Sequence, residues 1–133
     1  MTDELYVALI LFALFQIKHT LADYFLQTRR MLTNRSVYAH FGRLQHAVIH
    51  GALSFVTVLV VGLPSWVAVV LFAIDTTAHF HIDWIKGMYS DRTGDGPEKA
   101  AYWRAFGTDQ LAHQLTYVGM VWFWVAVLMP VPV

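Results

Sequence analysis

The chain has 133 residues, a formal net charge of zero and no cysteine, which excludes disulfides and thiolate metal sites. Hydrophobic residues make up 57% of it and charged residues only 14%, and the mean hydropathy is +0.49. Soluble domains carry about 25% charged residues, so this composition indicates an integral membrane protein. The length predicts a single domain, residues 1–133, and the balanced charge predicts no nucleic-acid partner.

Four long apolar segments follow one another along the chain. They cover about residues 5–28, 41–62, 66–88 and 103–129, and Pro130 closes the last of them. An α-helix of about 20 residues crosses the hydrocarbon core of a bilayer, and these segments lack the two-residue alternation of membrane strands. The sequence therefore predicts an all-α fold, a four-helix transmembrane bundle.

The basic residues predict the orientation of this bundle. Lysines and arginines cluster in or beside the first and third connections between the segments, at Arg29, Arg30, Arg35, Arg43, Lys86, Arg92, Lys99 and Arg104. Lys and Arg in short loops mark the cytoplasmic side of a membrane. We therefore expect both long connections in the cytoplasm and both termini on the extracytoplasmic side. The predicted location is the bacterial inner (cytoplasmic) membrane, with the lipid bilayer as partner.

Potential metal ligands occur in pairs, one pair in each apolar segment, and the members of every pair are four residues apart. They are His19 and Asp23, His46 and His50, His79 and Asp83, and Asp109 and His113. Side chains at this spacing share one face of a helix. Two pairs come late in helices that run inward, and two come early in helices that run outward. All of them are therefore predicted to meet at one depth, near the cytoplasmic side.

Imidazole and carboxylate groups in this pattern favour a divalent metal. They suit zinc, iron or manganese, and zinc is our first choice. The paired groups exceed what one ion needs, so they would hold two ions, or one ion with supporting partners and a general base. We predict that every paired residue is a metal ligand or the base. Asp23, Asp83 and Asp109 are the candidate catalytic residues.

Other polar residues extend the same helix faces. Asp75 lies four residues before His79, and we expect it either to join the ligands or to pair with Lys18. The simplest expectation for Lys18 and Lys86 is that their ammonium groups extend to the membrane interface. His81 is two residues from His79 and should point away from the cluster. A hydrogen-bonded polar network without metal is the alternative interpretation of the same residues.

At these residues the chain resembles a bacterial family of small integral membrane proteins classed as a domain of unknown function. The resemblance rests on ordered stretches, namely His19 to Gln27, His46 with His50, His79 to Lys86, and Asp109 to His113. It implies a membrane protein with intramembrane His and Asp motifs and no established activity. More loosely, the chain is similar to inner-membrane proteins described as metal-dependent hydrolases, and this similarity implies hydrolysis.

These observations give one functional prediction and two alternatives. We predict a metal-dependent membrane hydrolase that acts on a lipid or amphiphile from the cytoplasmic leaflet. The loops at residues 29–40 and 89–102 would act as lids over a cavity lined by the candidate ligands. The first alternative is a proton or metal-ion transporter that uses these residues as a relay. The second is a haem or di-iron redox protein, although the Glu-x-x-His motif of di-iron bundles is absent.

Overall fold

The computed structural model describes residues 3–128, and every regular element among them is helical. This confirms the predicted all-α fold. In chain order the elements are α1 (Asp3–Tyr24), α2 (Arg29–Leu32), α3 (Phe41–Val60), α4 (Ser65–Thr93), α5 (Ala100–Phe123) and a π-helical continuation (Trp124–Leu128).

Four of these helices are long and apolar enough to cross a membrane. α1 has 22 residues and α3 has 20, while α4 and the continuous α5 with its π-helical end have 29 each. An apolar helix of about 20 residues spans the hydrocarbon core. The helices therefore indicate a multi-pass membrane protein, as the composition predicted.

The helix bounds differ from the predicted ones where local backbone signals end or prolong a helix. α1 ends at Tyr24, before the predicted residue 28, and Thr28 instead has extended backbone and precedes α2. α4 continues to Thr93 and ends at Gly94, whose φ of 61° is the left-handed conformation that glycine adopts without strain. The predicted end of the fourth segment at residue 129 lies outside the described residues.

The long helices form a bundle with one polar end and one apolar end. α1 and α4 each pack against both α3 and α5, so α1 and α4 lie diagonally opposite each other. The apolar end contains buried side chains from all four helices. They are Leu11, Phe15, Val58, Val67, Ala68, Leu71, Tyr117, Met120, Val121 and Trp124. The buried histidines and carboxylates occupy the other end.

Helices α3 and α4 come closest at Gly51. A Cβ atom at this position would lie 2.9 Å from the carbonyl oxygen of Phe72 on α4, which is tighter than packed side chains tolerate. The absence of a side chain therefore permits the close approach. One residue before Gly51, the imidazole of His50 stacks on that of His79 with the ring centroids 3.7 Å apart. The glycine thus helps to set the spacing of the polar cluster.

We expect Gly51→Leu to destabilise the bundle by about 1–3 kcal/mol, because the new side chain would force α3 and α4 apart. The free energy of unfolding would be measured by detergent denaturation. Ala52→Leu is the matched control, since Ala52 is the next residue of α3 and is exposed. Equal stability of the two variants would contradict the close packing.

Candidate metal centre

The residues of the four predicted pairs come together at the polar end of the bundle, and each long helix contributes one pair. All are buried except Asp23, which is half-buried. His79 lies at the centre, with its ring centroid 3.7 Å from that of His50 and 4.1 Å from that of His113. The ring of His46 lies 4.6 Å from that of His50. The i, i+4 pattern therefore corresponds to one buried cluster formed by four helices.

Asp23 is surrounded by histidines. Its Oδ1 lies 2.9 Å from Nε2 of His50 and 3.2 Å from Nε2 of His46. Its Oδ2 lies 3.3 Å from Nε2 of His19. Asp23 forms no ion pair with a lysine or arginine within residues 3–128, unlike the other carboxylates of the cluster. Imidazole nitrogens from α1 and α3 thus converge on this one carboxylate.

A second group of ligand-type atoms lies on α4 and α5. Nε2 of His113 is 3.7 Å from Oδ1 of Asp83 and 3.6 Å from Oδ1 of Asp109. Each of these carboxylates also has a cationic partner. Arg35 approaches Asp83 at 2.9 Å, and Lys86 approaches Asp109 at 2.9 Å. The cations neutralise the two carboxylates in this structure.

Three sets of side chains place their ligand atoms close enough to share an ion, with all atoms of a set within 4.8 Å of one another. The sets are His19 with His50 and His79, Asp23 with His46 and His50, and Asp83 with Asp109 and His113. The last two sets have no member in common. Imidazole and carboxylate donors suit zinc, iron or manganese. The donor set therefore fits the predicted divalent metal.

Several buried atoms of the cluster also lack a hydrogen-bond partner within the described chain. Nδ1 of His46, of His50 and of His113 is in this state, as are one oxygen of Asp83 and one of Asp109. Buried polar atoms are nearly always hydrogen-bonded, and exceptions commonly mark functional sites or an ion. These unpaired atoms belong to residues of both separate sets, the one that contains Asp23 and the one that contains Asp83.

A hydrogen-bonded chain connects His79 to His19 through a tyrosine that the sequence analysis did not place in the site. The hydroxyl of Tyr117 lies 3.3 Å from Nε2 of His79 and 3.0 Å from Nδ1 of His19. Gln110 completes the surroundings of His19, with its Oε1 3.1 Å from Nε2. Tyr117 follows His113 by four residues, so the sequence places it on the same helical stripe as that candidate ligand.

Lys18 does not extend to the membrane interface, and that expectation was wrong. Its side chain is buried, and its Nζ lies 2.5 Å from Oδ2 of Asp75 and donates to the carbonyl of His50. Ser54 donates to the same carboxylate at 2.5 Å, and Nδ1 of His79 lies 2.8 Å from its other oxygen. Burial of Asp75 makes the ion pair more favourable than extension of the lysine. Asp75 thus has the role of a partner for Lys18.

Lys86 also departs from the expectation of an interfacial lysine, since its side chain is only 19% exposed and pairs with Asp109. The prediction for His81 is confirmed. His81 is exposed, and its ring contacts the Tyr38 hydroxyl rather than the cluster. The two histidines at positions 79 and 81 therefore point to opposite sides of α4.

The first connection covers the polar end of the bundle. Arg35 reaches Asp83 from this segment, and the Trp84 indole donates to the carbonyl of Ser36 at 3.0 Å. Arg43 is buried and donates to the carbonyls of Arg35 and Tyr38. The segment packs on α4 through these contacts, so it lies where the predicted lid was expected.

The predicted second lid and the predicted cavity differ from the structure. Most of residues 89–102 are helical, because α4 and α5 extend into this region and leave a short connection. A cavity of about 510 Å³ does open between α4 and α5, but Asp109 is the one candidate ligand that lines it. The other candidate ligands, apart from the half-buried Asp23, lie in the protein interior, because the cover and the close helix packing enclose them.

The chain belongs to the family described as "protein of unknown function (DUF3307)", whose sequence profile matches residues 10–130. This confirms the resemblance to a domain-of-unknown-function family. No curated protein and no solved structure matches the chain. The family description assigns no activity.

We expect Lys18→Met to lower the free energy of unfolding by about 3–5 kcal/mol, because it leaves the buried Asp75 carboxylate without its cation. Detergent denaturation would measure the change. Lys99→Met is the control, since Lys99 pairs with Asp95 at the protein surface and such pairs contribute little. The double variant Lys18→Met with Asp75→Asn should recover part of the loss. Wild-type stability in the single variant would show that Lys18 does not neutralise Asp75.

Proposed function

We propose that this DUF3307 protein is a metal-binding membrane hydrolase that acts on a lipid or amphiphile from the cytoplasmic leaflet. Zinc is the simplest metal for the site, and iron or manganese would suit the same donors. One observation carries the proposal. Imidazole Nε2 atoms of His19, His46 and His50 converge on the Asp23 carboxylate, which has no lysine or arginine partner among residues 3–128.

The hydrogen-bonded chain through Tyr117 strengthens this argument. Nδ1 of His79 lies 3.3 Å from the Asp75 carbonyl oxygen and 2.8 Å from Oδ1 of its carboxylate, which are both acceptors, so a neutral His79 carries its proton there and accepts at Nε2. The Tyr117 hydroxyl then donates to His79 and accepts from Nδ1–H of His19.

In this arrangement Nε2 of a neutral His19 carries a lone pair. It faces Oδ2 of Asp23 and Oε1 of Gln110, which are both acceptors, at 3.3 Å and 3.1 Å. Acceptors facing each other in a buried site repel unless a positive charge lies among them. A metal cation bound at Asp23 would supply that charge.

Two sets of residues would hold the metal, and their separate membership suits two ions. One set is Asp23 with His46 and His50, and the other is Asp83 with Asp109 and His113. A divalent ion at such a site supplies a Lewis acid and an activated water for hydrolysis. Among the protein groups, an Asp carboxylate would accept the proton of the attacking water. Gln110 would orient Asp23, since its Nε2 lies 3.4 Å from Oδ2.

The geometry favours hydrolysis over a relay across the membrane and over a haem protein. A relay across the membrane needs polar groups at both ends, whereas the buried core at the far end consists of side chains such as Leu11, Val58 and Leu71. A haem between the helices needs space between its axial histidines. The His50 and His79 rings are instead in stacking contact at 3.7 Å. A haem bound by histidines would also leave the Asp carboxylates of the cluster without a role as ligands.

Metal content tests the first part of the proposal. We expect purified protein to retain a first-row metal, and His79→Ala or Asp83→Ala to lower the metal occupancy of the affected set at least about tenfold. Elemental analysis and anomalous scattering would measure it. His81→Ala is the matched control, because His81 lies on the same helix and outside the cluster. A wild-type protein that binds no metal after zinc, iron and manganese are each supplied would contradict the proposal.

Turnover tests the second part. We expect hydrolysis of an amphiphilic ester or phosphoester that is lost with a chelator and restored by zinc. Asp23→Asn, Asp83→Asn and Asp109→Asn should each be assayed in protein whose fold is verified by circular dichroism, and at least one should abolish turnover. Asp91→Asn is the control, since Asp91 is exposed on α4. Equal turnover in all of them would exclude the carboxylates from catalysis.

The basic connections lead us to propose that both termini lie outside the cytoplasm of a bacterial inner membrane. The chain has no cysteine, so single cysteines can be introduced as probes. We expect a membrane-impermeant maleimide to label Ser65→Cys in intact cells without their outer membrane, and to label Thr33→Cys after the membrane is opened. Both positions are exposed. The reverse labelling pattern would invert the orientation and place the cluster in the outer leaflet.

A further inference from the structure

The 510 Å³ cavity between α4 and α5 is a groove with mostly apolar walls. Ile82 and Ile85 form the α4 wall, while Ala101, Ala105 and Ala112 recur along one face of α5. The short alanine side chains leave the space that larger residues would fill. Cavities of about 300–1,000 Å³ are typical of small-molecule sites. We call this cavity the α4–α5 groove.

The α4–α5 groove also contains two cations. Lys86 and Arg104 both line it, and Arg104 is exposed and belongs to no ion pair within the described part of the chain. Asp109 lines the groove beside Lys86, and this residue is also a member of a candidate metal set. The groove therefore begins at an apolar face between two helices and reaches the candidate metal centre.

We propose that the α4–α5 groove binds an anionic amphiphile as the substrate. The phosphate-bearing headgroup would lie at Lys86 and Arg104, and the apolar chain would lie along Ile82, Ile85 and Ala112. The apolar walls select the chain, and the two cations are complementary to a negative headgroup. The inference rests on the proposed function, because it names the substrate class of that same site.

Lys86 connects headgroup binding to metal binding. In this structure its Nζ lies 2.9 Å from Oδ2 of Asp109. A metal ion held by Asp109 would neutralise the carboxylate and leave the ammonium group for the anion. Without that neutralisation, Asp109 would repel the headgroup. Anionic lipid and divalent metal should therefore strengthen each other's binding, which is a reciprocal coupling between two sites.

Lipid binding to delipidated, detergent-solubilised protein tests the proposal by native mass spectrometry. The probes are phosphatidylglycerol and phosphatidylcholine with identical acyl chains, each with and without zinc. We expect phosphatidylglycerol to bind at least about fivefold more tightly, since each basic residue near a membrane surface adds about that factor for anionic lipid. Added zinc should increase this preference.

Two variants locate the binding to the groove. Ala105→Phe should lower phosphatidylglycerol affinity at least about tenfold, because its ring would occupy space inside the groove. Ala13→Phe is its control on an exposed face of α1. Arg104→Gln should lower phosphatidylglycerol affinity about fivefold and leave phosphatidylcholine unchanged. Arg92→Gln is its control, an exposed charge at the same end of the bundle that does not line the groove.

Equal binding of the two lipids would overturn the proposal, as would unchanged binding in both Ala105→Phe and Arg104→Gln. Arg104 is exposed, so its variant remains informative if Ala105→Phe does not fold. Inorganic phosphate that competes as strongly as the lipid would also overturn the proposal, since the acyl chain of the lipid would then contribute nothing to binding. Groove-dependent lipid selectivity in a protein that binds no metal would contradict the proposed function alone. Metal binding without lipid selectivity would contradict the groove alone.

Discussion

The ion pair between Lys18 and Asp75 crosses the centre of the bundle and connects the diagonally opposite helices α1 and α4. Both side chains are almost inaccessible, so neither charge can be hydrated. An unpaired buried charge costs several kcal/mol, and the two residues must therefore meet whenever the helices pack. Ser54 and the carbonyl of His50 bring α3 into the same network. The pair thereby fixes how three helices are rotated toward the cluster.

The same requirement explains the surroundings of the remaining carboxylates. Arg35 neutralises Asp83 from the first connection, and Lys86 neutralises Asp109 from the adjacent helix. Gly87 permits the first of these contacts, because a Cβ there would lie 2.7 Å from the carbonyl oxygen of Arg35. The contact closes the covering segment onto α4. The contact between Arg35 and Asp83 therefore both neutralises the carboxylate and encloses the site.

Much of this architecture could be predicted from the sequence because its signals are local. Helix length follows from the apolar runs, and the i, i+4 spacing determines which side chains share a face. The common depth of the pairs follows from alternating helix direction. The contact between Asp23 on α1 and His50 on α3 follows directly from that common depth.

The cationic partners could not be predicted in the same way. Lys18 and Asp75 are 57 residues apart, and periodicity along one helix does not specify which face of another helix it meets. Asp75 was proposed as a partner for Lys18, but interfacial extension was the simpler expectation for a membrane lysine. The positive charge of Arg35 was already explained by membrane orientation. Arg35 can both mark the cytoplasmic side of the membrane and neutralise Asp83, and composition indicates only the first of these roles.

The unequal ends of the bundle limit the routes by which a ligand could reach the cluster. A cluster at mid-depth with polar groups on both sides would suit passage through the membrane. Here the buried side chains beyond Asp75 form an apolar core, so groups can reach the cluster from the covered polar end or laterally between helices. The α4–α5 groove is such a lateral opening, and it reaches the cluster at Asp109. An amphiphile can keep its chain at the apolar face of this opening while its headgroup reaches the carboxylates. At the covered polar end, the Arg35 contact would have to open before a water-soluble ligand could reach Asp83.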